Sequence, residues 1–180
     1  MRRLVVLNLM NKESGFSLLE LVVVFVIMGI VSAIGAPSLV ASQRQGRVNE
    51  AFSKIRSALL EAQLNANRQS ATCTLTIATT GVTATTQGCL LENITVDSSI
   101  VDINSSAGTL PQTIAFAYQG TTANAQVLQI RRKNFSGTAM QETGKCIIIS
   151  SIGMIRTGIY DSTATSNCNN AENKRYDSNP

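Results

Sequence analysis

The 180 residues contain no histidine and no tryptophan, and aromatic residues make up only 4% of the chain. Without histidine, imidazole-based acid–base or nucleophilic chemistry is excluded, and the acids between Glu92 and Asp177 are scattered without a spacing that catalysis would use. No Gly-rich phosphate loop is present, so the chain reads as something other than an enzyme. The four cysteines, Cys73, Cys89, Cys146 and Cys168, lack the close pairing of a zinc knuckle and have no histidine to complete a site. No metal and no other cofactor is therefore expected. Repeats of solenoid or propeller period are absent. Charge is sparse as well: 15 Lys and Arg against 11 Asp and Glu is a mildly basic balance, far from that of a dedicated nucleic-acid domain.

What the chain does have is a long apolar run, residues 15–37, with a single carboxylate, Glu20, near its start. Read as a helix, residues 16–41 would reach roughly 39 Å at 1.5 Å per residue, beyond the ~30 Å of a hydrocarbon layer, so one membrane crossing is expected. Arg2, Arg3 and Lys12 precede the run, and basic flanks stay cytoplasmic. A carboxylate in hydrocarbon costs at least ~2.5 kcal/mol on insertion scales, which makes Glu20 a functional candidate. A cleaved secretory signal fits poorly, because Glu20 interrupts the apolar region and Ile34 stands where a small residue is wanted. A plain anchor leaves Glu20 unexplained.

At Gly15-Phe16-Ser17-Leu18-Leu19-Glu20 the chain resembles the type IV pilin family, which includes the pseudopilins of type II secretion. The matching elements are a short basic leader ending in Gly15, then Phe16, Glu20 as the fifth residue after the leader and Pro37 as the twenty-second. The resemblance implies that a prepilin peptidase cuts between Gly15 and Phe16 and methylates the new amine of Phe16. It also implies that the helix first anchors the subunit in membrane lipid and then forms the core of a filament. The leader departs from the family form in its apolar Leu4-Val5-Val6-Leu7, and a start at Met10 would bring it closer. The physics supports such a use of the residues. Glu20 lies one helical turn from Phe16, and a buried acid is tolerated only where a neighbour's amine meets it. Losing one partner of such a pair costs ~3–5 kcal/mol, enough to decide whether a subunit joins. Gly29, Gly35 and Pro37 punctuate the run; Pro37 removes a backbone hydrogen bond and bends or locally melts a helix.

Beyond the run, Val48, Phe52, Ile55, Leu59, Ala62 and Ala66 form one stripe at helical spacing, with Arg44, Arg47, Lys54, Arg56 and Arg68 mostly off it. After Gln69 the composition turns to short alternating runs that predict strands at 72–79, 82–86, 94–96, 113–118, 127–132, 146–151 and 154–160, with turns at Thr80-Gly81 and Ile152-Gly153. The expected fold is α+β: a long N-terminal α-helix, membrane-spanning in its first half, packed on a β-rich headpiece built as a two-sheet β-sandwich. The expected segments are a leader at 1–15, a membrane and filament-core helix at 16–41, its amphipathic continuation at 42–69 and a headpiece at 70–180. The cysteines would lie on the non-cytoplasmic side, where disulfides persist, and four of them allow three pairings. Cys73 with Cys89 would staple a hairpin, and Cys146 with Cys168 would tie the last strands to the Asn-rich tail, each closing a loop worth ~3 kcal/mol.

The β-rich region and its closing hairpin, Cys146-Ile147-Ile148-Ile149-Ser150-Ser151-Ile152-Gly153-Met154-Ile155-Arg156-Thr157-Gly158, resemble the GspH/FimT branch of the family, which includes FimU-type minor pilins. That resemblance implies a non-catalytic subunit near a filament tip, helping to start assembly. Its implied partners are other minor pilins, the major pilin, the prepilin peptidase and the inner-membrane assembly platform. The implied location is the bacterial inner membrane, single pass with a periplasmic headpiece, and then a surface pilus. A pseudopilin of type II secretion would share these features. DNA-binding members carry Gly-Arg-x-Arg in this hairpin, whereas this chain reads Gly153-Met154-Ile155-Arg156, one cation short. Arg131, Arg132 and Lys133 are a second candidate for phosphate contact, set against plain edge protection of a strand end.

Overall fold

The computed structural model describes residues 16–140, 144–163 and 168–169, with the side chains of 33–37 and 169 left undescribed. The leader with Gly15, and the side chain of Pro37, thus lie outside the described residues. The chain divides between Val40 and Ala41 into two compact units.

A single helix, α1, runs Leu18–Gln69. Ser17 starts it: its carbonyl accepts the Leu21 N–H at 3.1 Å. Glu20 stands in the first turn, where a carboxylate complements the partial positive charge of the helix N-terminus. At the other end Arg68 occupies the last turn, and Ser70 takes a left-handed φ of 51°. The Ala71 N–H then reaches back to the Ala66 carbonyl at 3.2 Å, the 6→1 bond that closes a helix when its C′ residue turns left-handed.

In the first unit, the large apolar side chains of α1 up to Val31 are exposed. Among the described residues no helix is long and apolar enough to cross a membrane. This corrects the expected membrane-spanning first half of the fold and, with it, the single-pass inner-membrane placement.

In the second unit α1 packs on a β-sheet headpiece. Val48, Ala51, Ile55, Ala58, Leu59, Ala62 and Ala66 are buried, a stripe at helical spacing in which Ala58 and Leu59 stand side by side. Ala51 takes the place expected for Phe52, which is only partly buried and lies 5.0 Å from the Lys145 ammonium. The strands are β1 (Cys73–Ala78), β2 (Gly81–Ala84), β3 (Ile94–Thr95), β4 (Val101–Ser105), β5 (Gln112–Phe116), β6 (Gln126–Arg132), β7 (Lys145–Ile149), β8 (Ile155–Tyr160) and β9 (Cys168–Asn169). They form a four-stranded sheet in the order β3-β2-β1-β5 and a five-stranded sheet in the order β4-β6-β7-β8-β9, antiparallel at each pairing. Alternation sets the faces: Cys73, Leu75 and Ile77 of β1 point inward and Thr74 and Thr76 outward. Leu75 and Ile77 from the first sheet, and Ile103, Leu128, Ile130 and Ile147 from the second, share one apolar cluster with the α1 stripe. A smaller cluster of Val127, Cys146 and Cys168, with Ile148 against it, covers the opposite face of the second sheet.

Candidate functional site

The N-terminal candidates lie on an uncovered surface. Phe16 is 79% exposed, and its neighbours Leu18 and Leu19 are 83% and 73% exposed. Glu20 is the one charged residue in the sequence between 16 and 43. Full burial of a Val, Leu, Ile, Phe or Met side chain is worth about 1.5–3 kcal/mol, so this run stores a large association energy that the isolated chain does not realise.

The basic candidates are placed differently. Arg131 donates from Nη2 to Asp102 Oδ2 at 2.8 Å, with its guanidinium 5.1 Å from the Tyr160 ring centre and its side chain only 13% exposed. Arg132 donates to the Ala41 carbonyl at 3.3 Å and to Met140 Sδ at 3.2 Å. Lys133 donates to the Ser98 carbonyl at 2.9 Å and lies 3.9 Å from Asp102 Oδ1. These three side chains tie the end of β6 to β4, to the β3–β4 connection and to α1. Arg156 sits opposite Ile148, and Ile148 opposite Val127, so Arg156 is two strands across from β6 and four residues along it from Arg131. That is roughly 13 Å along the strands and about 10 Å across them. The Arg156 Nε contacts Met154 Sδ at 2.8 Å. The structure therefore does not gather the four cations into one patch.

Of the three possible pairings, the disulfides present are Cys73–Cys89 and Cys146–Cys168. Sequence reading missed a row of polar side chains on one flank of α1. Glu61 Oε1 accepts the Leu91 N–H at 2.6 Å, Asn65 donates to the Cys89 carbonyl at 3.1 Å and Gln69 to the Gly88 carbonyl at 2.9 Å. Their spacing of four was the available signal, since it puts all three on one helix face beside the buried stripe. Gln63, on another flank, donates to the carbonyls of both Gly120 and Gly153 at 2.8 Å.

Two carboxylates titrate below the usual carboxylate range. Asp97 is held down by hydrogen bonds from the Ser99 hydroxyl and N–H, at 2.6 and 2.9 Å. Glu50 is held down by Lys54 at 2.8 Å, with Arg47 at 3.4 Å adding to it. Among the described residues no group of three or more His, Cys, Asp or Glu side chains is placed to hold a metal ion.

A family model described as the prokaryotic N-terminal methylation motif matches residues 10–36. A fimbrial protein of Moraxella nonliquefaciens is 36% identical over 64 residues, which is 36% of this chain and 40% of that protein. The match thus spans well under half of that relative. Two crystal structures of the type IV minor pilin FimU of Pseudomonas aeruginosa PAO1, in space groups P65 and P21, each superpose with a TM-score of 0.51. They are 14% and 13% identical to this chain, cover 66% and 67% of it, and are themselves covered over 98% and 95% of their lengths. At this level of identity the chain shares a fold with that protein. It carries an N-terminal methylation motif on a type IV pilin- or pseudopilin-like fold, related to that of FimU.

Proposed function

We propose that this chain is a minor type IV pilin, a structural subunit that helps to start filament assembly and sits at or near the tip. The observation that carries the reading is the run of exposed apolar side chains on the first half of α1, with Glu20 as its lone charge, inside the matched methylation motif. In this reading the bond between Gly15 and Phe16 is cut by a prepilin peptidase and the Phe16 amine is methylated. The cationic amine of one subunit then meets Glu20 of its neighbour as the apolar helices bury one another. An acid facing only Leu and Val would be uncompensated, so the pair selects one register and excludes uncut chains. Other minor pilins, the major pilin and the assembly platform are the partners that this role requires. The likeness in fold to a minor pilin supports the reading.

The test is Glu20→Gln in the full chain, scored by incorporation into sheared filaments. Loss of incorporation by at least about tenfold is expected, since ~3–5 kcal/mol is at stake. Normal incorporation overturns the reading. Intact-mass measurement on filament-associated protein is expected to find methylated Phe16 at the N-terminus, and a retained leader overturns it. Gene deletion that stops protein secretion and leaves filaments intact would move the chain to the secretion apparatus.

A further inference from the structure

We infer that the arm leaving β6 is a strap: residues 132–140 hold the turn of α1 from Ala41 to Arg44 on the headpiece and so set where the headpiece lets go of the helix. The inference does not depend on the filament-subunit reading, since every contact it uses lies within the second unit.

The buried stripe of α1 starts only at Val48. From Ala41 to Arg47 the helix has a single apolar side chain, that of Ala41, and it includes Gly46, which weakens a helix relative to alanine. Core burial therefore gives this stretch almost nothing. Ala41, Arg44 and Gln45 are nonetheless half-buried, at the spacing of three and four that leads to Val48 on the same face. Two side chains of the arm meet that face. Arg132 donates from Nη1 to the Ala41 carbonyl at 3.3 Å, while its Nη2 donates to Met140 Sδ, at the far end of the arm, at 3.2 Å. The Phe135 ring lies against the Arg44 guanidinium, with Cζ 3.8 Å from the ring centre. That ring is 80% exposed, so what it contributes is a face for the guanidinium and not core burial.

The arm is built to keep these groups in place. The Met140 N–H donates to the Arg132 carbonyl at 2.7 Å, Lys133 and Ala139 form an antiparallel bridge, and the Asn134 N–H donates to the Thr138 carbonyl at 2.8 Å. The Asn134 Oδ1 accepts the Thr138 N–H, also at 2.8 Å, and Gly137 takes the left-handed φ of +81° that closes the turn. With the arm released, Val48 becomes the first anchored residue. Seven residues, roughly 10 Å of helix at 1.5 Å per residue, then pass from held to free. A short stretch without burial frays, so the strap decides whether these residues are helical at all.

The test is hydrogen exchange followed by mass spectrometry on the full chain in detergent micelles, read at the amides of residues 45–47 with those of 55–62 as reference. Arg132→Ala together with Phe135→Ala should speed exchange at 45–47 at least about fivefold and leave 55–62 within twofold. Gly46→Ala added to that pair should recover most of the loss, because a Cβ there meets nothing within 4 Å and alanine favours the helix that the arm otherwise holds. Phe135→Tyr keeps a ring face and should exchange as the parent does. Unchanged exchange at 45–47 overturns the inference, as does a Gly46→Ala change that recovers nothing or a tyrosine variant as fast as the alanine one. Equal acceleration at 55–62 overturns it too, since the arm would then support the whole headpiece. Should the double variant fail to fold, Phe135→Ala alone, a change at an exposed tip, carries the same comparison: about a threefold rise at 45–47 is expected, and no rise refutes the strap.

Discussion

Gly153 joins two parts of the headpiece through the absence of a side chain. Its φ is +81°, and a Cβ there would run into the Gly120 carbonyl oxygen, which the Gln63 carboxamide also needs. Gly153→Ala should therefore cost about 2–3 kcal/mol, the sum of a left-handed penalty and a displaced turn, read as a lower urea midpoint at unchanged slope. Asp97 gives a pH signature. Its folded value lies below its unfolded one, so its contribution is present above the ordinary carboxylate range and is lost as pH falls through the lowered folded value. Stability should accordingly fall as pH drops below about 4, and Asp97→Asn should flatten that limb while leaving its shape near pH 7 unchanged. A urea titration repeated between pH 3 and 7 measures both; an identical acid limb in the variant would remove Asp97 from the account.

At the scale of elements, α1 was legible from sequence because its pattern is local: the Val48-to-Ala66 stripe keeps helical spacing and folds as such. Most hairpin strands were legible for the same reason, including the turns at Gly81 and Gly153. β4 was not, since Asp102 and Asn104 break its apolar character, and what holds them is across the sheet: Asp102 pairs with Arg131 and Asn104 lies opposite Gln129. β9 was missed because two residues carry no pattern, and its place depends on the Cys146–Cys168 bridge. The same dependence on long-range partners hid the contacts of residues 131–133, for which the sequence offered phosphate contact and plain edge protection alike. The end of α1 offers a check on local reasoning. Ser70 holds a left-handed conformation better suited to glycine, so Ser70→Gly should stabilise the headpiece by about 0.5–1 kcal/mol in a thermal melt. A lower melting temperature would show that the Ser70 side chain contributes more than its strain removes.

For the whole molecule, the length and apolarity of residues 16–41 read as a membrane span, and the described residues contain no helix that meets the requirement. What the sequence could not tell was how the apolar residues divide between a core and a bare surface, because both use the same side chains. The division falls at Val40. The buried core is assembled from residues beyond it, while the first unit leaves its large apolar side chains in solvent. A chain beginning at Ala41 should thus melt within about 3 °C of the full-length protein, since almost none of the burial that stabilises the fold is removed. A drop of more than about 10 °C would show that the first unit supports the headpiece.

That bare first unit also bears on how the polypeptide must live before it reaches its destination. With Phe16, Leu18 and Phe25 among the side chains left wet, the solitary chain is a substrate for aggregation and for quality control. Covering those side chains should therefore protect the chain even where the headpiece itself is unchanged.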